Sequence, residues 1–451
     1  MYNQHIKQKF SSFIKNANIS NIIIVGSITL IGSCFGFFKE IIVAKNYGLS
    51  LLLDTYYIAI LLPSFISNVF MSSYQSVFIP NYIAEKGEQK QIGSFQSTAT
   101  IVTIAMSLFF LLISFLFTDY YLEYFFKGHE PEFYELIIEQ FAYVAPCILF
   151  WGLTSIVNGL LNVDNEFKYS TLSAATTPIC ILICVIFLSD YFEELVLAIG
   201  TLIGSVLGFI FVLVVALNRR IIILSTPNFR SKNSLMMFKQ LPAKTTASLL
   251  NGINPIVDQY FSAQLIVGSI AALNYGIKIP AFAIGIGAMA LGNVLLPYFS
   301  KMAVFQKELL YTKLQKWLKY TFFLSLLVGI VGILLSFPIV KIVFERDAFV
   351  AEDTMIVSKI QQMYFIQIPF YLITIIMVRF LTSINKNNFM MFTSLISALL
   401  NLYLNYVLMK IFGVYGLALS TSIVALIISA VFYFYIKKLE RNSNLQTNTN
   451  S

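Results

Sequence analysis

The sequence is short of the residues that catalytic and metal sites need. Only 12% of its 451 residues are charged, and its two histidines, His5 and His129, lie far apart and outside the apolar segments. The four cysteines fall inside apolar segments, with the spacing of neither a metal site nor a disulfide framework. The sequence also contains no phosphate-binding glycine loop and no long polar domain. These absences argue against an enzyme, against catalytic residues and against direct use of ATP.

Hydrophobic residues dominate instead, at 58% of the chain. The charged fraction is about half of the roughly 25% that is usual in soluble proteins. A membrane-spanning helix needs about 20 apolar residues, and twelve segments qualify. The predicted spans are 21–44, 52–82, 94–118, 134–162, 168–189, 194–217, 238–265, 268–299, 316–340, 354–383, 388–411 and 414–436. We therefore predict an all-α polytopic membrane protein, whose net charge of +8 reflects its loops rather than a nucleic-acid partner.

The basic residues are distributed unevenly between the two sides of this predicted topology. With the N-terminus in the cytoplasm, twenty of the thirty Lys and Arg residues fall in inner segments and five in outer loops, as the positive-inside rule requires. Lys7, Lys9 and Lys15 precede a long apolar run without a cleavage-type end, so we interpret that run as a retained span. Both termini are expected in the cytoplasm, and the polar tail 438–451 is expected to be disordered.

Two proline pairs indicate an internal repeat. Pro63 and Pro80 are 17 residues apart, as are Pro280 and Pro297, and the pairs are offset by 217 residues. Six predicted spans precede the longest inner loop and six follow it, which predicts two six-helix lobes around a central substrate cavity. The predicted boundaries are 1–217 for the N-terminal lobe, 218–237 for the cytoplasmic loop and 238–437 for the C-terminal lobe. The alternative is that the prolines match by chance.

Charged residues within the predicted spans form a candidate substrate site. A charge inside a bilayer costs at least roughly 2.5–3.5 kcal/mol, so each such residue needs a compensating role. Lys278 lies about ten residues into the eighth span, near the midplane of the membrane, where a cation facing the cavity is the better interpretation. Lys39 and Glu40 diverge by about 100° around the first helix, so we expect each to have a partner other than its neighbour. The alternatives are a Lys39–Glu40 pair that reaches the outer headgroups and, for Asp54, a solvated helix end.

A second polar group combines one carboxylate with neutral oxygens. Asp258 follows Pro255, and Asn401 and Asn405 share a helix face because they are four residues apart. Counted along their spans, these residues and Thr421 reach compatible depths in the outer half of the membrane. Hard oxygen ligands suit an alkali ion such as Na⁺. The alternative is hydrogen bonding between helices, worth about 0.6 kcal/mol per bond on average.

Three stretches of the sequence resemble a known family. The stretch GFFKEIIVAKNYGLSLLLDTYYIAILLPSFI, followed by VFIPNY, resembles the N-terminal signature of the MurJ (MviN) lipid II flippases, in the multidrug/oligosaccharidyl-lipid/polysaccharide exporter superfamily. The stretch VDQYFSAQLIVGSIAALNYGIKIPAFAIGIGAMALGNVLLPYFSK is similar to helices 7 and 8 of that family. The stretch NLYLNYVLMKIFGVYGLALSTS is similar to its helices 11 and 12, and also to Wzx-type polysaccharide flippases.

The resemblance implies a fold, a cargo and two sets of residues. It implies a monomeric, two-lobed carrier in the bacterial inner membrane, which moves an undecaprenyl-diphosphate-linked saccharide from the inner to the outer leaflet. Lys39 and Glu40 fall on the Arg and Asp of the family's GFxRD motif, and Lys278 on the Arg after its NYADR-like motif; with Asp54 they are the expected substrate-binding residues. The resemblance suggests Na⁺ as a coupling ion, with H⁺ and the membrane potential as alternatives, and no cofactor is expected. The implied Na⁺ ligands are Asp258, Asn401, Asn405, Thr421 and a backbone carbonyl near Leu417.

The sequence departs from the family pattern at several places. Its cavity cations are lysines, which cannot grip a diphosphate with two parallel hydrogen bonds as arginine does. Ser33 stands where an Arg is usual, and the stretch SFISNVFMSSYQS lacks the expected Arg and Glu. The family's two further C-terminal helices have no counterpart in this sequence. The cargo stays open between lipid II and a related glycan, such as an O-antigen or capsule unit. A cation-coupled drug antiporter, a scaffold for glycan assembly and a membrane glycosyltransferase are further alternatives.

Overall fold

The computed structural model describes residues 17–88 and 91–449, which are almost entirely helical. His5, Lys7, Lys9 and Lys15 lie outside the described residues. In the first half of the chain the helices are α1 Ala17–Tyr47, α2 Leu51–Ile66, α3 Ser72–Glu88, α4 Ile92–Phe125, α5 Pro131–Val144, α6 Cys147–Val163, α7 Phe167–Ser173, α8 Thr176–Phe187, α9 Ser189–Phe192 and α10 Val196–Asn218.

The second half of the chain contains longer, less interrupted helices. They are α11 Lys232–Ser262, α12 Ser269–Phe305, α13 Lys307–Phe344, α14 Ala351–Phe365, α15 Gln367–Ser383, α16 Asn387–Phe412 and α17 Val414–Thr449. Gly268 and Gly413, with φ of 89° and 58°, stand at the start of α12 and the end of α16. Glycine adopts this left-handed backbone without the steric cost that a side chain would add, so these two residues set the helix boundaries.

Eleven helical segments within the described residues are long and apolar enough to cross a membrane. Each predicted span except 238–265 has a counterpart among them. That span corresponds to α11, which is helical over Lys232–Ser262 but carries Lys239, Gln240 and Lys244 in its first half. The prediction of an all-α membrane protein with about twelve spans is therefore confirmed, and α11 is the one helix whose membrane crossing its composition does not support.

The predicted repeat has matching helices. The first proline pair lies in the helical segment Leu51–Glu88 and the second in Ser269–Phe305, of 38 and 37 residues. Adding the offset of 217 residues to the end of the first segment gives the end of the second. The two copies differ at one place: Ser67–Met71 form a π-helical turn between α2 and α3, whereas α12 continues without a break. Such turns are rare and are often found at functional sites.

The chain folds into two compact units whose boundaries differ from the predicted lobes. Of the described residues, one unit contains those up to Val43 together with Thr55–Gly252, and the other contains Ala44–Asp54 together with those from Ile253 on. The division therefore falls within α11 rather than in the predicted loop 218–237. The short connection between α1 and α2 belongs with the second unit. The lobe boundaries themselves stay a prediction.

The segment between α10 and α11 is shorter than predicted, because α11 begins at Lys232. Within the first unit this segment is extended and lies against the first turns of α4. Three side chains of α4 accept hydrogen bonds from its backbone. The bonds run from Ile223 N to Gln96 Oε1 (2.7 Å), from Ser225 N to Ser97 Oγ (3.0 Å) and from Asn228 N to Thr98 Oγ1 (2.9 Å). These bonds satisfy backbone donors that a loop would otherwise leave to water.

Small residues bring α8 and α10 of the first unit into close contact. Gly200, Gly204 and Gly208 recur every four residues on α10 and face α8. A Cβ on Gly204 would lie 2.5 Å from the Cα of Thr177, closer than two carbon atoms can approach. Membrane helices commonly pack through small residues in this way. In lipid the hydrophobic effect does not drive helices together, so close van der Waals packing must do so. We infer that any larger residue at Gly204 would force these helices apart.

The predicted disordered tail is helical in the structure. The last helix, α17, continues through the polar stretch after Arg441 and ends at Thr449. Adding a residue to an existing helix costs far less than starting one, because each added residue gains a hydrogen bond. The prediction of disorder for 438–451 was therefore wrong for the described part of the tail.

Candidate functional site

Lys39 and Glu40 form an ion pair with each other. The Nζ of Lys39 lies 2.8 Å from Oε1 of Glu40, and their side chains are 16% and 7% exposed. The Lys39–Glu40 pair, given above as the alternative, is therefore present. Their Cβ atoms point in different directions, but the four-carbon stem of lysine is long enough to fold back to the next residue. The pair offers one cation and one anion at a largely buried position of α1.

Asp54 is buried and binds the start of another helix. Its Oδ2 accepts a hydrogen bond from Gly268 N (2.6 Å) and its Oδ1 one from Ala271 N (2.7 Å). Both donors belong to the N-terminus of α12, where backbone N–H groups lack partners within the helix and carry partial positive charge. The alternative of a solvated helix end was wrong, because Asp54 is only 4% exposed. Its predicted role in substrate binding stays a prediction.

Lys278 lies in the first third of α12 and is half-buried. Nine residues separate it from Ser269, which places it about 14 Å along the helix from its start. Two residues earlier, Gly276 packs against α14, where an added Cβ would lie 2.4 Å from Cγ2 of Ile360. This contact fixes the rotation of α12 about its axis, and so the direction in which Lys278 points. Contact with a substrate stays a prediction.

The structure brings three of the five predicted ion ligands together. Oδ1 of Asp258 on α11 accepts hydrogen bonds from Nδ2 of Asn405 (2.7 Å) and Nδ2 of Asn401 (3.2 Å), both on α16. Asn405 Nδ2 also lies 3.4 Å from Asn401 Oδ1. The two asparagines are buried. The side-chain hydrogen bonding that was the alternative to an ion site is thus present.

The remaining two predicted ligands are joined to each other. The hydroxyl of Thr421 donates to the carbonyl of Leu417, four residues earlier on α17, at 3.3 Å. This bond places a hydroxyl oxygen and a carbonyl oxygen side by side.

Several buried acceptor oxygens on the two helices of this cluster lack a hydrogen-bond donor, and such oxygens would suit a cation. Oδ1 of Asn405 is fully buried and has no hydrogen-bond donor, and the same holds for the amide oxygens of Asn254 and Gln259, which flank Asp258 on α11. A buried acceptor without a partner costs roughly 1–3 kcal/mol. A half-turn of the Asn405 amide would direct its oxygen instead of its NH₂ group toward Asp258. This one rotation would replace a hydrogen-bond donor next to the carboxylate by a further acceptor oxygen.

Asn254 and Gln259 were missed in the sequence. Asn254 lies four residues before Asp258 and therefore one helical turn away on the same face, a signal that was available. Clusters of three or more His, Cys, Asp or Glu residues do not occur among the described residues. The oxygen ligands near Asp258 suit a hard ion rather than a transition metal that prefers nitrogen or sulfur.

A row of polar contacts joins α3 to the first half of α11 within the first unit. Sequence reasoning did not predict it. Its first contact is buried: Nδ2 of Asn233 donates to Oε2 of Glu85 at 2.6 Å. The other two run from Asn81 Nδ2 to Gln240 Oε1 (2.9 Å) and between the hydroxyls of Ser73 and Ser248 (2.7 Å). The three positions on α11 are seven and eight residues apart, about two turns each, so they lie on one face.

Comparison with known proteins gives consistent matches over nearly the whole chain. A model of the family described as lipid II flippase MurJ matches residues 43–448. A lipid II flippase MurJ from Thermosipho africanus (strain TCF52B) is 29% identical over 428 residues, covering 94% of this chain and 86% of the relative. A probable lipid II flippase MurJ from Buchnera aphidicola subsp. Schizaphis graminum (strain Sg) is 27% identical, covering 92% and 82%.

A solved structure agrees with the sequence matches. It is described as lipid II flippase MurJ in an inward closed conformation, and it superposes on this chain with a TM-score of 0.81 at 29% identity. The match covers 92% of this chain and 87% of the other. Sequence and three-dimensional fold therefore point to the same group of proteins.

Proposed function

Since the chain belongs to the lipid II flippase MurJ family, we propose that it moves lipid II from the inner to the outer leaflet of the bacterial cytoplasmic membrane. The observation that carries this proposal is the family match from residue 43 to residue 448. The shared fold of the solved flippase supports it, as do the eleven segments of the described chain that are long and apolar enough to cross a membrane. Carriage of the lipid-linked substrate across the membrane breaks no covalent bond, so the proposed activity is transport rather than catalysis.

The proposed orientation places both termini in the cytoplasm. The proposed functional unit is a single chain. The excess of Lys and Arg in one set of loops supports the orientation. A single chain suffices because the repeat lies within one polypeptide. Access would alternate between the two membrane faces, as in other carriers built from parallel repeats.

The diphosphate of the substrate is the group that the buried cations would bind. Lys278 and Lys39 each offer an ammonium group, which binds phosphate as a point charge. Lys39 is already held by Glu40 at 2.8 Å, so a diphosphate would exchange with the carboxylate as its partner. Glu40 then holds the lysine in position when the substrate has left.

The five predicted ligands, namely Asp258, Asn401, Asn405, Thr421 and the backbone carbonyl of Leu417, would hold Na⁺ as a coupling ion. A bound Na⁺ would neutralise the carboxylate and favour the conformation that binds it more tightly. Asp258, Asn401 and Asn405 already contact one another, and the buried amide oxygen of Asn405 lacks a donor. These two observations support the ion site.

Replacement of the chromosomal flippase tests the proposed function. In cells depleted of their own lipid II flippase, this protein is expected to restore growth and to expose labelled lipid II at the outer leaflet. Lys278→Gln should abolish both because the diphosphate loses its cation, and Lys278→Arg should retain both. Lys301→Gln, which removes an exposed lysine near the end of the same helix, is the matched control.

Membrane levels of each variant must equal those of the parent protein. Full activity of Lys278→Gln would exclude the proposed role of that residue. Failure of the parent protein to expose lipid II, at normal levels in the membrane, would contradict the proposed cargo.

A further inference from the structure

A groove on the second unit has the layout of a lipid-binding site. It is bounded by α12, α13 and α15, and its volume is about 630 Å³, within the roughly 300–1,000 Å³ that is usual for ligand pockets. Most of its wall is apolar, formed by residues such as Ile286, Leu324 and Leu372. Lys313 and Lys316 are the charged side chains in its lining. We call this the α13 groove.

The side chains of α13 change character in order along the groove. Lys313 and Lys316 come first, Trp317 and Tyr320 follow one turn later, and Leu324 and Val328 lie beyond them. From Trp317 to Val328 the helix rises about 16 Å, close to half of the roughly 30 Å hydrocarbon core. Tryptophan and tyrosine favour the level of the headgroups. Along α13 the order is therefore charged, then aromatic, then apolar. This order matches a single lipid molecule, which runs from a charged phosphate through the headgroup region to an apolar chain.

The groove lies away from the candidate substrate residue on α12. Gly287, which lines the groove, is nine residues after Lys278, and nine helical positions turn through about 900°, which is half a turn beyond two full turns. The two residues therefore lie on opposite faces of α12. A ligand in the groove would not occupy the face that carries Lys278.

A second apolar groove flanks α13 on its other side and shares Lys316 with the first. Its lining includes Lys319, Phe322 and Phe323 from α13, together with residues of α15 and α17. Two apolar channels that meet at one lysine match a lipid with two chains under one phosphate. An isoprenoid diphosphate has a single chain and would leave one channel empty.

We propose that the α13 groove binds an anionic diacyl phospholipid, with its phosphate on Lys313 and Lys316 and one acyl chain along Trp317, Leu324 and Val328. Basic pockets between helices bind anionic headgroups in this way. The assignment of the lysine end to the inner leaflet rests on the proposed orientation. The binding itself requires no transport, so it can be measured separately from the flippase activity.

Trp317 provides a direct reporter of the groove. The chain has two tryptophans, and Trp151→Phe leaves Trp317 as the single one. The test uses nanodiscs of neutral lipid. Phosphatidylglycerol with brominated acyl chains should quench the fluorescence of Trp317 at a roughly tenfold lower mole fraction than brominated phosphatidylcholine does. The reason is that lysines near the membrane surface attract an anionic headgroup more strongly than a neutral one. Equal quenching by the two lipids would overturn the proposal.

Two matched pairs of variants locate the site. The double variant Lys313→Gln/Lys316→Gln should remove the preference for phosphatidylglycerol. The control, Lys301→Gln/Lys386→Gln, removes the same amount of charge from exposed lysines outside both grooves. This control should leave the preference unchanged. Leu324→Trp would fill the groove, so native mass spectrometry should show loss of a bound phosphatidylglycerol. Leu327→Trp, also exposed but outside both linings, should retain it.

The competing occupant is the substrate itself. If undecaprenyl diphosphate relieves the quenching of Trp317 at a lower concentration than unlabelled phosphatidylglycerol does, the groove belongs to the substrate chain and the proposal is overturned. Weaker relief by undecaprenyl diphosphate supports it. Loss of transport in a variant that still shows the lipid preference would bear on the flippase function and not on this groove.

Discussion

At the scale of single residues, the surroundings of Asp258 distinguish between two interpretations of its cluster, an ion site and a set of structural hydrogen bonds. One of its carboxylate oxygens receives both asparagine amides, while the oxygen of Asn405 lies buried without a donor. An internal hydrogen-bond cluster optimised for stability alone would pair that oxygen. The imbalance is explained if the amide turns to face a cation in another state of the protein.

The prediction for Asp258 is a sodium-dependent stability. Na⁺ should raise the melting temperature of the purified protein by several degrees relative to K⁺ or choline, because a ligand that binds only the folded state stabilises it. Asp258→Asn should remove the increment by removing the charge that Na⁺ neutralises. Differential scanning fluorimetry in the three chloride salts at equal ionic strength measures it.

Glu352→Gln is the control for that experiment, because Glu352 is an exposed acid of the same unit. It should keep the full sodium increment. Identical melting in the three salts for the parent protein would contradict the ion site. A sodium increment that survives Asp258→Asn would place the ion elsewhere.

At the scale of helices, α11 is the element whose role changed most between sequence and structure. Its first half is held to α3 in the first unit by the contacts of Asn233, Gln240 and Ser248. Its last ten residues belong to the second unit and carry Asp258. These polar contacts explain why α11 is less apolar than the other long helices. The side chains that form the hydrogen bonds are polar, and they lower the hydropathy of the segment below that of a typical membrane span.

The start of α12 gives a prediction about Asp54. Asp54→Ala removes a carboxylate that accepts two backbone hydrogen bonds, at 2.6 and 2.7 Å, and should lower the stability of the folded protein by about 2 kcal/mol or more. Asp54→Asn, which keeps one acceptor oxygen but loses the charge, should fall in between. Thermal unfolding followed by intrinsic fluorescence measures the order of the three proteins.

Asp347→Ala is the matched control. Asp347 also pairs with a partner in the second unit, Lys45 at 3.3 Å, but its side chain is 69% exposed. Exposed ion pairs contribute about 0–1 kcal/mol, so this change should have little effect. If Asp54→Ala unfolds at the same temperature as Asp347→Ala, the carboxylate does not stabilise the start of α12.

At the scale of the whole molecule, the proposed orientation predicts which loops face the cytoplasm. Cys147, Cys180 and Cys184 are buried and Cys34 is exposed, so Cys34→Ser gives a background with little reactive thiol. In that background, Glu132→Cys near the start of α5 should react with a membrane-impermeant maleimide on intact cells. Thr226→Cys, in the segment between α10 and α11, should react only after permeabilisation. The reverse labelling pattern would invert the proposed topology.

The sequence alone predicted the membrane class, eleven of the spans and the family. These rest on local properties: apolar runs of about 20 residues are required by the bilayer thickness, and the proline spacing that indicates the repeat needs no knowledge of contacts. It also placed Asp258, Asn401 and Asn405 in one group, from their depths along the helices and from the family resemblance, and these three side chains are in contact.

Only the tertiary structure decided which groups pair. Asp54 binds the start of α12, more than two hundred residues away, and no periodicity in the sequence signals a carboxylate that caps another helix. Lys39 pairs with its neighbour Glu40 because its long side chain folds back along the helix. The α13 groove exists only where α12, α13 and α15 leave space between them. The bilayer dictates where helices occur, but side-chain packing between distant helices determines the sites they form.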